Sequence, residues 1–159
     1  MIVAIGTDHG GFALKERIVR AVAALGHEVH DCGAMTLDPG DDFPDYAERV
    51  AHAIRTGRAE RGILTCGSGV GISVAANKFP GVRAAICHDP DAARQGVEDD
   101  AMNVLCLGGR VIGPELAAEL VTAFLGAHFK SLDRYERRLG KVTAFERAAS
   151  TPPHRTTGS

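Results

Sequence analysis

The chain has 159 residues, of which 45% are hydrophobic and 24% charged, with a formal net charge of −2 at neutral pH. That length suits one well-filled core and is short for two. Charges of both signs are interspersed and aromatics make up only 5%, which argues against a broad basic field or a set of base-stacking platforms for nucleic acid.

The amino-terminal run Ile2-Val3-Ala4-Ile5-Gly6 follows no basic region and is too short for a signal peptide or a membrane span. A cytoplasmic protein with no membrane and no nucleic-acid partner is expected. Cys32, Cys66, Cys87 and Cys106 each sit at or near the end of an apolar run and form no Cys-x-x-Cys pair, which is poor spacing for disulfides or zinc.

Five apolar runs read as buried strands: Ile2 to Gly6, Glu28 to Cys32, Gly62 to Cys66, Arg83 to Cys87 and Val104 to Gly108. Helical spacing lies between them, beginning with Phe12, Leu14, Ile18, Val19, Val22 and Leu25 and closed by Gly26. Met35 to Asp45 reads as a loop carrying acid, with a helix beginning near Pro44. A helix from Gly113 to Gly126 has Pro114 in its first turn, and a last one opens near Ser131 and runs toward Ala148. Strand and helix alternate, which predicts a doubly wound, Rossmann-like α/β domain over residues 1–150: a three-layer sandwich around a five-stranded parallel sheet. Residues 151–159, a polar tail with Pro152-Pro153, are expected to be disordered.

Open sheets of this kind bind ligands beyond the carboxyl ends of their strands. Chemically interesting residues follow four of these ends: Asp8-His9, Cys66, His88-Asp89 and Arg110. The third is the most informative. Gly62-Ile63-Leu64 delivers a thiol into Thr65-Cys66-Gly67-Ser68-Gly69-Val70-Gly71-Ile72-Ser73, a turn able to aim several backbone N–H groups at an anion or a developing oxyanion. Read structurally, the same stretch is a tight strand-to-helix connection around a small buried thiol. Asp8 likewise reads as a ligand or as a helix cap, His9 as a ligand or a surface turn residue, and Tyr46 as pocket lining or helix-face packing.

Taken together, these residues resemble the type B ribose-5-phosphate isomerases, a family that also includes galactose-6-phosphate isomerase subunits. The likeness runs from Ile2 to about Ala148. It is carried by Asp8-His9-Gly10-Gly11-Phe12 with Leu14-Lys15, Asp31-Cys32-Gly33, Asp42-Phe43-Pro44-Asp45-Tyr46-Ala47, Cys66 to Gly71 with Ala75-Ala76-Asn77-Lys78, and Asn103-Val104-Leu105 leading to Gly108-Gly109-Arg110. The resemblance implies a metal-independent, cofactor-free aldose–ketose isomerase that moves a proton between carbons 1 and 2 through a cis-enediolate. Cys66 would be the base, because Ile72-Ser73 offers no carboxylate where another branch of the family places its Glu. Backbone N–H groups of Gly67, Ser68, Gly69, Val70 and Gly71 would form the oxyanion hole, and Ser68 would help open the sugar ring. Asp8, His9 and Tyr46 would bind the sugar or its phosphate. Arg110, Arg134 and Arg138 match phosphate-binding arginines, whose planar fork suits that group. A homodimer or dimer of dimers with shared sites is implied, the segment around residues 99–110 entering from the partner.

The match departs at Asp99-Asp100, where the family commonly has His-Asn, the ring-opening acid and an oxyanion donor. Asp99 would serve as the acid with a raised pKa, and Asp100 as a donor only when protonated. Ribose 5-phosphate is the expected substrate. The alternatives are a tetrose 4-phosphate, which cannot close a furanose ring and needs no ring-opening acid, a hexose 6-phosphate, and a non-catalytic sugar-phosphate binding module.

Overall fold

The computed structural model describes residues 1–151; the expected disordered tail falls, from residue 152 onward, outside the described residues. Among the described residues five strands alternate with helices: β1 (Ile2–Thr7), α1 (Phe12–Ala24), β2 (Glu28–Asp31), α2 (Phe43–Arg55), β3 (Arg61–Cys66), α3 (Val70–Ala76), β4 (Ala84–Ile86), α4 (Pro90–Asp100), β5 (Val104–Gly108), α5 (Pro114–Gly126) and α6 (Asp133–Ser150). All pairings are parallel and the strand order is β2-β1-β3-β5-β4.

The order reverses between β1 and β3, because the chain leaves β1 in one direction for β2 and later returns to its other side for β3. A crevice forms where loops at such a reversal diverge. Helices cover both faces, as a parallel sheet requires. One core packs Ile18, Val22, Leu120 and Phe124 of α1 and α5 on Ile5, Ile63 and Leu105; the other packs Tyr46, Val50 and Ile72 of α2 and α3 on Ala4, Leu64 and Cys106. The anticipated three-layer α/β domain is therefore observed.

Elements differ from expectation mainly at their ends. The fourth strand holds only Ala84–Ile86, since the Arg83 amide donates to the Asn103 side chain at 2.8 Å and leaves the ladder. α6 is nearly all solvent-facing: Tyr135 is its buried residue, while Val142 and Phe145 are 51% and 72% exposed. The described residues contain no helix long and apolar enough to cross a membrane.

Candidate active site

Three loops meet at the carboxyl end of the sheet. A Cβ on Gly10 would fall 2.6 Å from the Gly67 amide nitrogen, and one on Gly109 2.5 Å from the Gly10 carbonyl oxygen. No side chain fits at these crossings, so the turns after β1, β3 and β5 touch backbone to backbone. Gly69 has φ +80, a left-handed conformation that lets the chain turn sharply from Cys66 into α3.

Cys66 is buried at the end of β3, and its Sγ accepts the Gly69 N–H at 3.1 Å. Ser68 is exposed beside it and its Oγ accepts the Val70 N–H at 3.1 Å. Two of the five anticipated oxyanion donors thus already face side chains. Gly67, Ser68 and Gly71 are the amides of the turn with no side-chain partner among the described residues.

Asp8 is 5% exposed and its Oδ1 accepts the N–H groups of Gly10 at 2.8 Å and Gly11 at 3.1 Å. These bonds close the turn ahead of α1, but the N-cap of that helix is Gly11 and has no side-chain cap bond, so Asp8 is not its N-cap. His9 lies alongside, its Nδ1 2.6 Å from Asp41 Oδ1, and the Tyr46 hydroxyl donates to Asp41 Oδ2 at 2.9 Å. Asp41 was not singled out as a site residue in the sequence. The signal available was the acidic loop that contains it.

His9 has its pKa raised, chiefly by the hydrogen bond with Asp41, against a smaller opposing effect of desolvation. Burial works to raise the Asp41 carboxyl, yet hydrogen bonds from His9 and Tyr46 outweigh it and hold the carboxyl below its ordinary value. Tyr46 is raised, by burial first and then by its bond to Asp41. Ligating atoms of Asp8, His9 and Asp41 lie within 4.8 Å of one another, but Asp8 Oδ1, His9 Nδ1 and Asp41 are joined to protein partners, which makes this a hydrogen-bond network rather than a preformed ligand set.

Arg110 lies against the Cys66 turn of its own chain. Its amide donates to the Gly67 carbonyl at 2.9 Å, and its Nη1 would be 3.1 Å from a Cβ on Gly67. The turn therefore carries its own cation. Desolvation raises the buried thiols of Cys32, Cys87 and Cys106, that of Cys106 to about 12.

The remaining expected residues are elsewhere. Asp99 and Asp100 end α4, which leads to the amino end of β5, whereas Cys66 pairs with Gly108 at its carboxyl end. Five residues of strand at about 3.3 Å each set these groups on the order of 15 Å from the Cys66 turn. Asp99 Oδ2 accepts from Gln95 Nε2 at 3.2 Å. Lys130, just before α6, bonds Glu98 with its amide to the carbonyl at 2.8 Å and with its Nζ to the carboxylate at 2.7 Å. Arg134 begins α6 beside it, donating to the Tyr135 hydroxyl at 2.8 Å, and Arg138 stands one turn further on the same helix face. A cavity of about 680 Å³ lies at this amino end, lined in part by Asn77, Arg83, Asp100, Met102, Val142 and Glu146. It holds none of the residues of the Cys66 turn, and chemistry rather than volume makes that turn the candidate reaction centre. One chain thus presents two clusters: Asp8, His9, Asp41, Tyr46, Cys66, Ser68 and Arg110 at one end of the sheet, Asp99, Asp100, Arg134 and Arg138 at the other.

Comparison with known proteins finds relatives over nearly the whole chain. Residues 3–142 match the Ribose/Galactose Isomerase family model. Ribose-5-phosphate isomerase B of Escherichia coli K12 is 44% identical over 144 residues, covering 91% of this chain and 95% of the relative. D-erythrulose-4-phosphate isomerase of Pectobacterium atrosepticum is 41% identical over 128 residues, covering 80% and 84%. The structure of ribose-5-phosphate isomerase B from Clostridium thermocellum superposes with a TM-score of 0.89 at 42% identity, covering 94% of this chain and 99% of that one. Fold, chain length and the matched region agree, and the chain belongs to the ribose/galactose isomerase family of sugar-phosphate isomerases.

Proposed function

We propose that this protein interconverts ribose 5-phosphate and ribulose 5-phosphate, with Cys66 as the base that carries a proton between carbons 1 and 2. The observation that carries the reading is the Cys66 turn itself: a thiol at the reversal of strand order, backed by the Gly69 amide and flanked by Arg110 and His9. Amides of Gly67, Ser68 and Gly71 hold the enediolate oxygen, and the Ser68 hydroxyl serves the ring oxygen. The similarity to the E. coli enzyme supports ribose 5-phosphate as substrate.

The site is completed by a second copy of the chain in a cytoplasmic homodimer or dimer of dimers. Asp99, Asp100, Arg134 and Arg138 are too far from Cys66 within one chain, and a helix as exposed as α6, next to the unpaired edge of β4, suits burial against a partner. Arg134 and Arg138 then reach the phosphate and Asp99 the ring.

The test is turnover in deuterium oxide. Deuterium entering carbon 2 of the aldose or carbon 1 of the ketose supports proton transfer; isomerisation with no exchange points to hydride transfer, and binding without turnover across a sugar-phosphate panel to a binding module. A second reading is specifically favoured at Asp99. Its carboxylate engages Gln95, where the family commonly has an imidazole, and one relative is named for D-erythrulose 4-phosphate. A tetrose 4-phosphate is therefore the alternative substrate.

A further inference from the structure

The loop between β2 and α2 returns to the Cys66 end of the sheet and delivers one carboxylate there. Asp41 Oδ1 accepts the His9 backbone N–H at 3.0 Å and lies 2.6 Å from His9 Nδ1; its Oδ2 accepts the Tyr46 hydroxyl at 2.9 Å. The Asp41 side chain is 8% exposed and that of His9 30%. Both oxygens of a nearly buried carboxylate are thus engaged, and the imidazole is held by one edge. Nε2, with no partner among the described residues, is the nitrogen left for a ligand.

We propose that Asp41 is a positioning residue: it fixes the His9 ring by Nδ1 and presents Nε2–H as a cationic donor to the sugar phosphate, while Tyr46 holds Asp41 in place. This rests on the substrate reading above. A carboxylate bonded to one ring nitrogen sets the tautomer and favours the imidazolium. The charged groups facing His9 are Asp8, Asp41 and Arg110; the two acids favour its cation and Arg110 opposes it. His9 and Arg110 then stand as two cations at the turn, complementary to a phosphorylated ligand.

A loop tether would make the same contacts without controlling the charge of His9. Asp41→Asn separates the two, since it keeps an oxygen for the backbone N–H and removes the charge. The experiment is NMR titration of the His9 ring nitrogens in the full-length wild type, Asp41→Asn and Asp41→Glu, together with kcat and KM for ribose 5-phosphate across the imidazole range. In Asp41→Asn the His9 midpoint falls, the alkaline limb of kcat/KM moves to lower pH with it, and KM rises about tenfold, the size of one charge-assisted hydrogen bond lost. Asp41→Glu restores part of both. An unchanged His9 midpoint overturns the proposal, and so does a raised KM with an unmoved alkaline limb.

Should Asp41→Asn fail to fold, Tyr46→Phe removes one donor from the intact carboxylate. The His9 midpoint then rises, and a fixed midpoint overturns the proposal. A midpoint that falls in Asp41→Asn of a protein inactive on ribose 5-phosphate supports the Asp41–His9 coupling and refutes the substrate instead.

Discussion

The backbone N–H of Gly69 donates to Cys66 Sγ over 3.1 Å, so the turn that begins at Cys66 closes back on its own sulfur. A serine oxygen at position 66 would accept the same amide and keep the turn, yet a hydroxyl does not ionise near neutrality. Cys66→Ser is expected to lower isomerisation by about 10²–10⁴-fold, the usual range for a lost general base. Affinity for ribose 5-phosphate stays close to wild type, because a base acting in the transition state adds little to ground-state binding. A coupled assay and calorimetry measure the two; a folded Cys66→Ser protein with most of its activity would remove Cys66 from the mechanism.

The separation of the two clusters makes a complementation experiment decisive. Mixing Cys66→Ala with Arg134→Ala chains produces hybrid dimers in which one site joins an intact Cys66 to an intact Arg134, so about a quarter of wild-type activity is expected from random assortment in a two-fold dimer. Mixing Cys66→Ala with Arg110→Ala gives no such recovery, since Arg110 lies against the Cys66 turn of its own chain. Recovery in the second mixture and not the first would invert the assignment.

Stability should depend on pH through the His9–Asp41 pair. His9 is raised, so its contribution is present in full below the unfolded imidazole value of 6.5 and fades as pH rises through the folded value. Asp41 is lowered, so its contribution is present above 3.8 and is lost as pH falls through the folded value. Urea unfolding of wild type and Asp41→Asn should therefore differ most in mildly acidic buffer and less in alkaline buffer. An equal difference at both would separate Asp41 from the charge on His9.

Substrate choice turns on Asp99. If the wild type favours erythrulose 4-phosphate and Asp99→His improves turnover of ribose 5-phosphate alone, ring opening is what the chain has given up. If ribose 5-phosphate is preferred and Asp99→Asn abolishes that preference, the carboxyl is the ring-opening acid. Paired kcat/KM values for both sugars in the three proteins decide.

Much of the fold was legible because its central strands, β1, β3 and β5, are buried on both faces and read as apolar runs that end at Asp, Cys or Gly. The Cys66 turn was legible for a local reason, since alternating glycines after a strand encode an amide-lined corner without help from distant residues. Asp41 was not. It is one of several acids between Asp38 and Asp45, and only the path of the loop decides which of them meets His9, 32 positions earlier. Arg110 and Asp99 look like neighbours in one functional segment, yet a whole strand lies between them and sends them to opposite ends of the sheet.

That intervening strand has an evolutionary consequence. The turn proposed to handle the proton and the helix ends proposed to handle the ring and the phosphate share no loop, so a substitution in one does not strain the other. A lineage could exchange the sugar it accepts by altering the α4–α6 corner while the thiol and its amides remain untouched. Equally, an unassembled chain would hold a base with only part of its grip on an anionic sugar. Dilution below the dissociation constant of the dimer would then silence the chemistry without unfolding a residue.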